Sequence, residues 1–161
     1  MSTKTILPAP IRKEIIVRAS QGKTFELFTS RMSQWWFPGN GIGASPFKEI
    51  VLEPRKGGRW FERAEDGTET NWGDVLEWEP PSRVLLAWRI DGKWKFDPRL
   101  ETTLEISFEN AGANTTRVLL EHRNLDRLGE AGLKAAEAMD GGWGKLLERF
   151  VSFVDEEVAR S

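Results

Sequence analysis

The chain of 161 residues contains one histidine, His122, and no cysteine. Disulfides, thiolate nucleophiles and thiolate metal sites are therefore excluded, and a multi-histidine metal centre is impossible. His122 ends an alternating run in which Val118 and Leu120 share its side, so its ring belongs to the apolar face of a strand. An imidazole there is either a hydrogen-bonded core group or a general acid–base, and the second role needs a partner. Glu62 is one candidate. It follows Trp60 by two residues in the stretch Arg59–Ala64, so the two share a strand face. With Trp60 inward, Glu62 is a buried carboxylate that must be paired or protonated, and Arg89 and Arg123 are possible partners. In the opposite register Phe61 and Arg63 point inward and Glu62 meets water.

No carboxylate cluster has metal-ligand spacing, and nucleophile elbows and Walker-type phosphate loops are absent. GNGIG near residue 40 lacks the strand before it and the helix after it that a dinucleotide site requires. The sequence thus implies neither a metal nor a cofactor. Chemistry other than acid–base work falls to the aromatic residues: eight Trp and nine Phe, with no Tyr. Trp combines the largest apolar surface with one N–H donor, so these rings either fill a core or line a cavity for an apolar ligand. Trp60, Trp72, Trp88, Trp94 and Trp143 are the candidate lining residues. Trp88 shares parity with Val84, Leu86 and Ile90, whereas Trp94 lies past the Asp91–Gly92 turn, where it can act as a lid. Both sides of the stretch around Trp72 mix apolar and acidic residues, so its direction is open. For each ring plain packing competes with ligand contact.

The elements that must position these groups read as α+β. Residues 1–10, with Pro8 and Pro10, read as a flexible arm before a single unit over residues 11–160. Ile11–Ala19 alternates as a half-buried strand. Ser20 is an N-cap for a short helix carrying Phe25, Leu27 and Phe28, and a second short helix runs from Arg31 to about Trp36, ended by PGNGIG. Short strands follow at Phe47–Glu53, Arg59–Ala64, Thr68–Trp78, Arg83–Ile90, Glu101–Glu109 and Thr115–Arg123. They are joined by the Gly57–Gly58 break, the Asp66–Gly67 turn, Pro80–Pro81, Asp91–Gly92 and the loop NAGAN, the pattern of an antiparallel meander. After Asp140 and two glycines, Trp143, Leu146, Leu147, Phe150, Val151, Val154 and Val158 mark one face of a C-terminal helix about 27 Å long. One helix covers only part of a six- or seven-stranded sheet. The sheet must curl around it, with the short helices plugging one end, and imperfect filling leaves a cavity.

Four segments carry a family resemblance: GGRWFERAEDGTETNWGDVLEWEPPSRVLLAW (Gly57 to Trp88), KWKFDP (Lys93 to Pro98), TRVLLEHRNLDRLGE (Thr116 to Glu130) and GGWGKLLERF (Gly141 to Phe150). Together they resemble the START-like (SRPBCC) superfamily with the Bet v 1 helix-grip fold. Within it they resemble the branch typified by the C-terminal domain of the activator of heat-shock-protein-ninety ATPase, over roughly residues 11–155. The resemblance implies the fold read above and, loosely, a function among lipid carriers, polyketide cyclases, antibiotic-resistance proteins and co-chaperone domains. Only ten residues precede the first strand, so a chaperone-docking domain like that of the co-chaperone is not expected.

Net charge is −2, with both signs interspersed, and no basic nucleic-acid footprint is present. MSTKTILPAP lacks the apolar stretch of a signal peptide, and no later run is long and apolar enough for a bilayer, so a cytoplasmic protein is expected. Three functions are compatible: a binder of a small hydrophobic or aromatic molecule, a cyclase- or hydrolase-type enzyme using His122 or Glu62, and a chaperone-linked interaction module. A homodimer fits all three, because sheet edges need protection.

Overall fold

The computed structural model describes residues 8–38 and 41–160. Most of the N-terminal arm expected from the sequence therefore lies outside the described residues. Among the described residues, β1 (Ile11–Val17), β2 (Phe47–Leu52), β3 (Arg59–Ala64), β4 (Glu69–Glu79), β5 (Arg83–Trp88), β6 (Thr102–Gly112) and β7 (Thr115–Arg123) form one antiparallel sheet. Its order is β1-β7-β6-β5-β4-β3-β2, so β1 and β2 are the edges. Between β1 and β2 run two short helices, α1 (Gln21–Ser30) and α2 (Met32–Trp35). The Ser20 hydroxyl accepts from the Lys23 N–H at 3.3 Å, capping α1 as its position predicts. On edge strand β2, Ser33 of α2 accepts from the Ile50 N–H at 2.7 Å and donates to the Ile50 carbonyl at 3.1 Å. One hydroxyl thereby satisfies two edge groups that pairing would otherwise claim.

The C-terminal helix is longer than its apolar run suggests. α3 spans Gly132–Ala159, 28 residues, about 42 Å at the α-helical rise. Asp140, Gly141 and Gly142 lie within it rather than before it. Burial of Ala135, Ala136 and Met139 on the same face as Trp143, Leu147, Phe150 and Val154 carries the helix through the weak glycine turn. Val158, expected on the buried face, is exposed, while Phe153 is buried under the Arg31 guanidinium. The β6–β7 connection is also tighter than the expected five-residue loop, because β6 runs to Gly112 and the turn is Ala113–Asn114, with Asn114 left-handed at φ 49°.

The sheet bends at bulges. Trp60 faces Gly73 but Phe61 faces Asn71, which leaves Trp72 as the extra residue of β4. A second shift falls between Val75 and Glu77, so Leu76 is extra against β5. Each bulge flips strand parity. That is why Trp72 and Val75, three residues apart, are both buried, and why Trp78 beyond the second bulge meets Phe25 at 5.1 Å. Gly73 sits at the tightest point, where any Cβ would collide with the Ala87 carbonyl. Phe28 joins the layers: it meets Phe108 of β6 at 5.6 Å and Phe150 of α3 at 5.1 Å.

Candidate functional site

A cavity of about 350 Å3 opens between the sheet and α3. Trp72 of β4 and Trp88 of β5 form its sheet wall, and Met139, Gly142, Trp143 and Leu146 form its helix wall. Trp36, Phe37, Gly41 and Ile42 close one side from the segment between α2 and β2, and Ile90 and Trp94 close another. Four indoles make a closed circuit: Trp36 to Trp72 at 5.0 Å, Trp72 to Trp88 at 6.4 Å, Trp88 to Trp143 at 6.0 Å and Trp143 back to Trp36 at 5.6 Å. Edge-on and tilted contacts of this kind fix ring orientation as well as burying area.

Four of the five tryptophans singled out from the sequence thus line the cavity: Trp72, Trp88, Trp94 and Trp143. Trp60 is wholly buried one layer behind, edge-on to Trp72 at 5.4 Å and to Trp88 at 5.6 Å. Trp94 is 44 % exposed and holds a left-handed backbone at φ 63°. Its turn is secured by the Asp91 carboxylate, which accepts from the Lys93 and Lys95 N–H groups at 2.8 and 3.0 Å. Trp36, Phe37, Ile42 and Met139 also line it and are not among the residues the sequence singles out. Trp36 carries a signal, since it clusters with Met32 and Trp35 at helical spacing; Met139 carries none, because it precedes the apolar run that marks the helix.

Glu62 is 2 % exposed, as the inward register of Trp60 requires. Phe61 is buried too, on the opposite face, with the Arg59 guanidinium 4.0 Å from its ring centre. The partners expected for Glu62 are elsewhere. Arg89 pairs with Asp74 at 2.7 Å and Glu101 at 3.2 Å, and Arg123 with Glu105 at 2.7 Å and Glu121 at 2.9 Å, all in part-exposed ion pairs. The reason is register: these arginines occupy the parity opposite the apolar face. Glu62 is instead held by N–H groups. Its Oε1 accepts from the Ile42 backbone at 2.6 Å and from Trp72 Nε1 at 2.8 Å. Gly41 lies so close that a Cβ would strike the carboxylate. Both donors belong to cavity-lining residues, so Glu62 joins the 41–43 segment to the sheet wall from behind.

His122 stands behind the opposite part of the wall, fully buried. Trp143 Nε1 donates to its Nδ1 at 3.3 Å. An indole N–H can only donate, so Nδ1 is the acceptor and the proton of the neutral ring sits on Nε2. Nε2 then donates to Thr102 Oγ1 at 2.8 Å, and Thr102 donates to the Trp88 carbonyl at 3.0 Å. Burial lowers the imidazole pKa from 6.5 to about 3, because no carboxylate offsets the loss of solvation. Glu62 is not the partner of His122. Both ring nitrogens are already engaged, which leaves no lone pair for a substrate proton.

The buried indole N–H groups of Trp60 and Trp88 have no hydrogen-bond partner among the described residues. Each such orphan costs about 1–3 kcal/mol. No group of three or more His, Cys, Asp or Glu side chains that could hold a metal ion occurs among the described residues, and no described helix is long and apolar enough to cross a membrane.

A seven-stranded sheet curled about one long helix, with an apolar cavity between them, defines the helix-grip class of the START-like superfamily. Within that class the chain belongs to the family of activator of Hsp90 ATPase homolog 1-like proteins, whose model matches residues 18–155. No curated protein matches the chain. Among solved structures it is similar to an anthrahydroquino-gamma-pyrone synthase, Txn09, at 39 % identity and a TM-score of 0.65, covering 89 % of this chain and 95 % of that one. It is also similar to CalC, a self-sacrificing resistance protein from Micromonospora echinospora, at 28 % identity and a TM-score of 0.67, covering 93 % and 96 %. The Aha1 dimer from Colwellia psychrerythraea shares the fold at 16 % identity and a TM-score of 0.64, covering 91 % of this chain and 96 % of that one.

Proposed function

We propose that this protein binds one small, planar, hydrophobic or aromatic molecule in the cavity between the sheet and α3. The observation that carries this reading is the cluster of Trp36, Trp72, Trp88 and Trp143, in mutual ring contact, on the wall of a cavity of about 350 Å3. A wall of indoles suits a flat apolar molecule, and the cavity falls at the lower end of the usual range for small-molecule sites. The test is a titration with a planar aromatic such as fluorene. Saturable quenching of tryptophan emission in the parent protein, lost in Gly142→Leu, supports the reading; quenching that never saturates sinks it.

A second reading is a ring-forming enzyme of the cyclase kind. Its support is the 39 % identity to a gamma-pyrone synthase over nearly the whole of both chains. Of the two acid–base candidates, His122 is less suited, because its lone pair is spent on Trp143. Neither candidate lines the cavity, and Glu62 is the nearer one: its carboxylate lies directly behind Gly41 and Ile42, so this reading requires that segment to move aside for a substrate. In this reading Glu62→Gln removes turnover of a polyketide-type substrate while leaving its binding within about threefold. Equal loss of binding and turnover would instead make Glu62 a support for the wall.

A further inference from the structure

A second hollow lies beside the tryptophan cavity. It is a groove of about 440 Å3 between α2 and α3, and Phe37 lines both. Phe37 follows the end of α2, is half-buried, and has the Arg149 guanidinium of the groove 5.9 Å from its ring centre. Arg149 also holds this end of α2: its Nε and Nη2 donate to the Trp35 and Trp36 carbonyls at 3.1 and 3.4 Å. On α3 the two hollows adjoin at consecutive residues, with Lys145 on the groove and Leu146 on the cavity.

The two linings differ in kind. No charged side chain lines the cavity. The polar side chains of the groove are Gln34, Lys145, Glu148, Arg149, Ser152 and Glu156, all exposed. The Trp35 indole N–H, from the same wall, is spent on the Phe28 carbonyl at 3.3 Å. Lys145, Glu148, Ser152 and Glu156 make no side-chain hydrogen bond or ion pair among the described residues. Two cations and two anions offset one another, so the groove has no net charge with which to select an ion. It offers donors and acceptors together. A hydroxyl both donates and accepts, so a group bearing several of them uses both kinds, whereas a simple anion meets Glu148 and Glu156 as well as Lys145 and Arg149.

Resting on the binding reading above, we infer that the cavity and the groove are two subsites of one site, and that the ligand is a flat aromatic ring system carrying a neutral, hydroxyl-rich substituent of the sugar kind. The ring system lies among the tryptophans, the substituent lies in the groove, and Phe37 is the partition between them.

The test compares 2-naphthyl β-D-glucopyranoside with 2-methoxynaphthalene, two ethers of one flat ring system that differ by the sugar, by equilibrium dialysis against the purified protein. The glucoside binds about tenfold more tightly. The sulfate ester of 2-naphthol, with an anion in place of the sugar, gains nothing over the methyl ether. Ser152→Trp fills the groove, and Glu148→Ala with Glu156→Ala deletes two acceptors at exposed positions. In both proteins the glucoside and the methyl ether bind within about threefold of each other, and the methyl ether keeps its parent affinity. In Phe37→Ala the preference for the glucoside grows, because the partition is gone while the groove remains. Equal affinities in the parent protein, tighter binding of the sulfate than of the glucoside, or a preference untouched by both groove variants overturns the inference while leaving aromatic binding in place. A preference unchanged in Phe37→Ala overturns the partition. Binding of none of the three compounds removes the binding reading and the inference with it.

Discussion

Trp143 Nε1 donates to His122 Nδ1 across 3.3 Å, and this one bond fixes both the tautomer of the imidazole and the position of a ring on the cavity wall. The chain continues through Thr102 to the Trp88 carbonyl, so β7, β6 and β5 and the helix α3 are tied together through one neutral histidine. Any role for His122 in ligand recognition is therefore indirect: it holds Trp143 in place.

The buried imidazole makes stability depend on pH in a definite direction. Its folded pKa of about 3 lies below the unfolded value of 6.5. Between those values the unfolded chain binds the extra proton, so stability is fully present above pH 6.5 and is lost as pH falls toward 3. Urea unfolding at pH 5 gives a free energy about 2 kcal/mol lower than at pH 7 from this group. In His122→Gln that slope disappears over this window. An imidazole C2 proton that titrates near pH 6.5 in the folded protein contradicts the argument.

Removing the Glu62 carboxylate orphans two donors at once. Glu62→Ala leaves the Ile42 N–H and the Trp72 indole N–H without their acceptor and costs about 2–4 kcal/mol in urea unfolding. Glu62→Gln keeps one acceptor oxygen and costs less than half as much. Because the Ile42 bond ties the 41–43 segment to the sheet, limited proteolysis of Glu62→Ala cuts near residues 37–46 faster than in the parent protein. Equal proteolysis of the two proteins removes the tethering role.

The sequence shows the helix-grip frame and most of the aromatic wall. Alternation along β1, β5 and β7, and turns at Asp66–Gly67 and Asp91–Gly92, are local signals that the fold obeys. Three features escape it for physical reasons. The start of α3 is hidden because Asp140, Gly141 and Gly142 have poor helix propensity, and only tertiary burial of Ala135, Ala136 and Met139 overrides them. The direction of Trp72 is hidden because two bulges in β4 break the period of two on which parity rests. The partners of Glu62 are hidden because a backbone N–H and an indole N–H carry no charge pattern, so a search for cations points to Arg89 and Arg123 instead.

Trp94 covers the mouth at little cost to the fold. It is 44 % exposed, so Trp94→Ala changes stability by no more than about 1 kcal/mol. Trp94 lines the cavity, so on the proposed binding reading it stands on the ligand's exit path. Stopped-flow dissociation of a bound aromatic is therefore several-fold faster in Trp94→Ala, with a smaller change in association. A dissociation rate equal to that of the parent excludes a lid role.

Gly142 opposes the stability of the helix to the volume of the cavity. It lies within α3 and on the cavity wall, and a Cβ built there meets no atom within 4 Å. Glycine in a helix interior costs about 1 kcal/mol relative to alanine, and nothing steric opposes the change. Gly142→Ala therefore raises the thermal midpoint by several degrees, on the order of 3 °C. The added methyl occupies space that a flat ligand would use, so the same substitution weakens fluorene binding, and Gly142→Leu abolishes it while the chain still folds. Opposite signs for stability and binding at one position separate a cavity kept open for a ligand from one that is merely a packing defect. If Gly142→Ala stabilises the protein and leaves binding untouched, the ligand does not lie against this turn of α3.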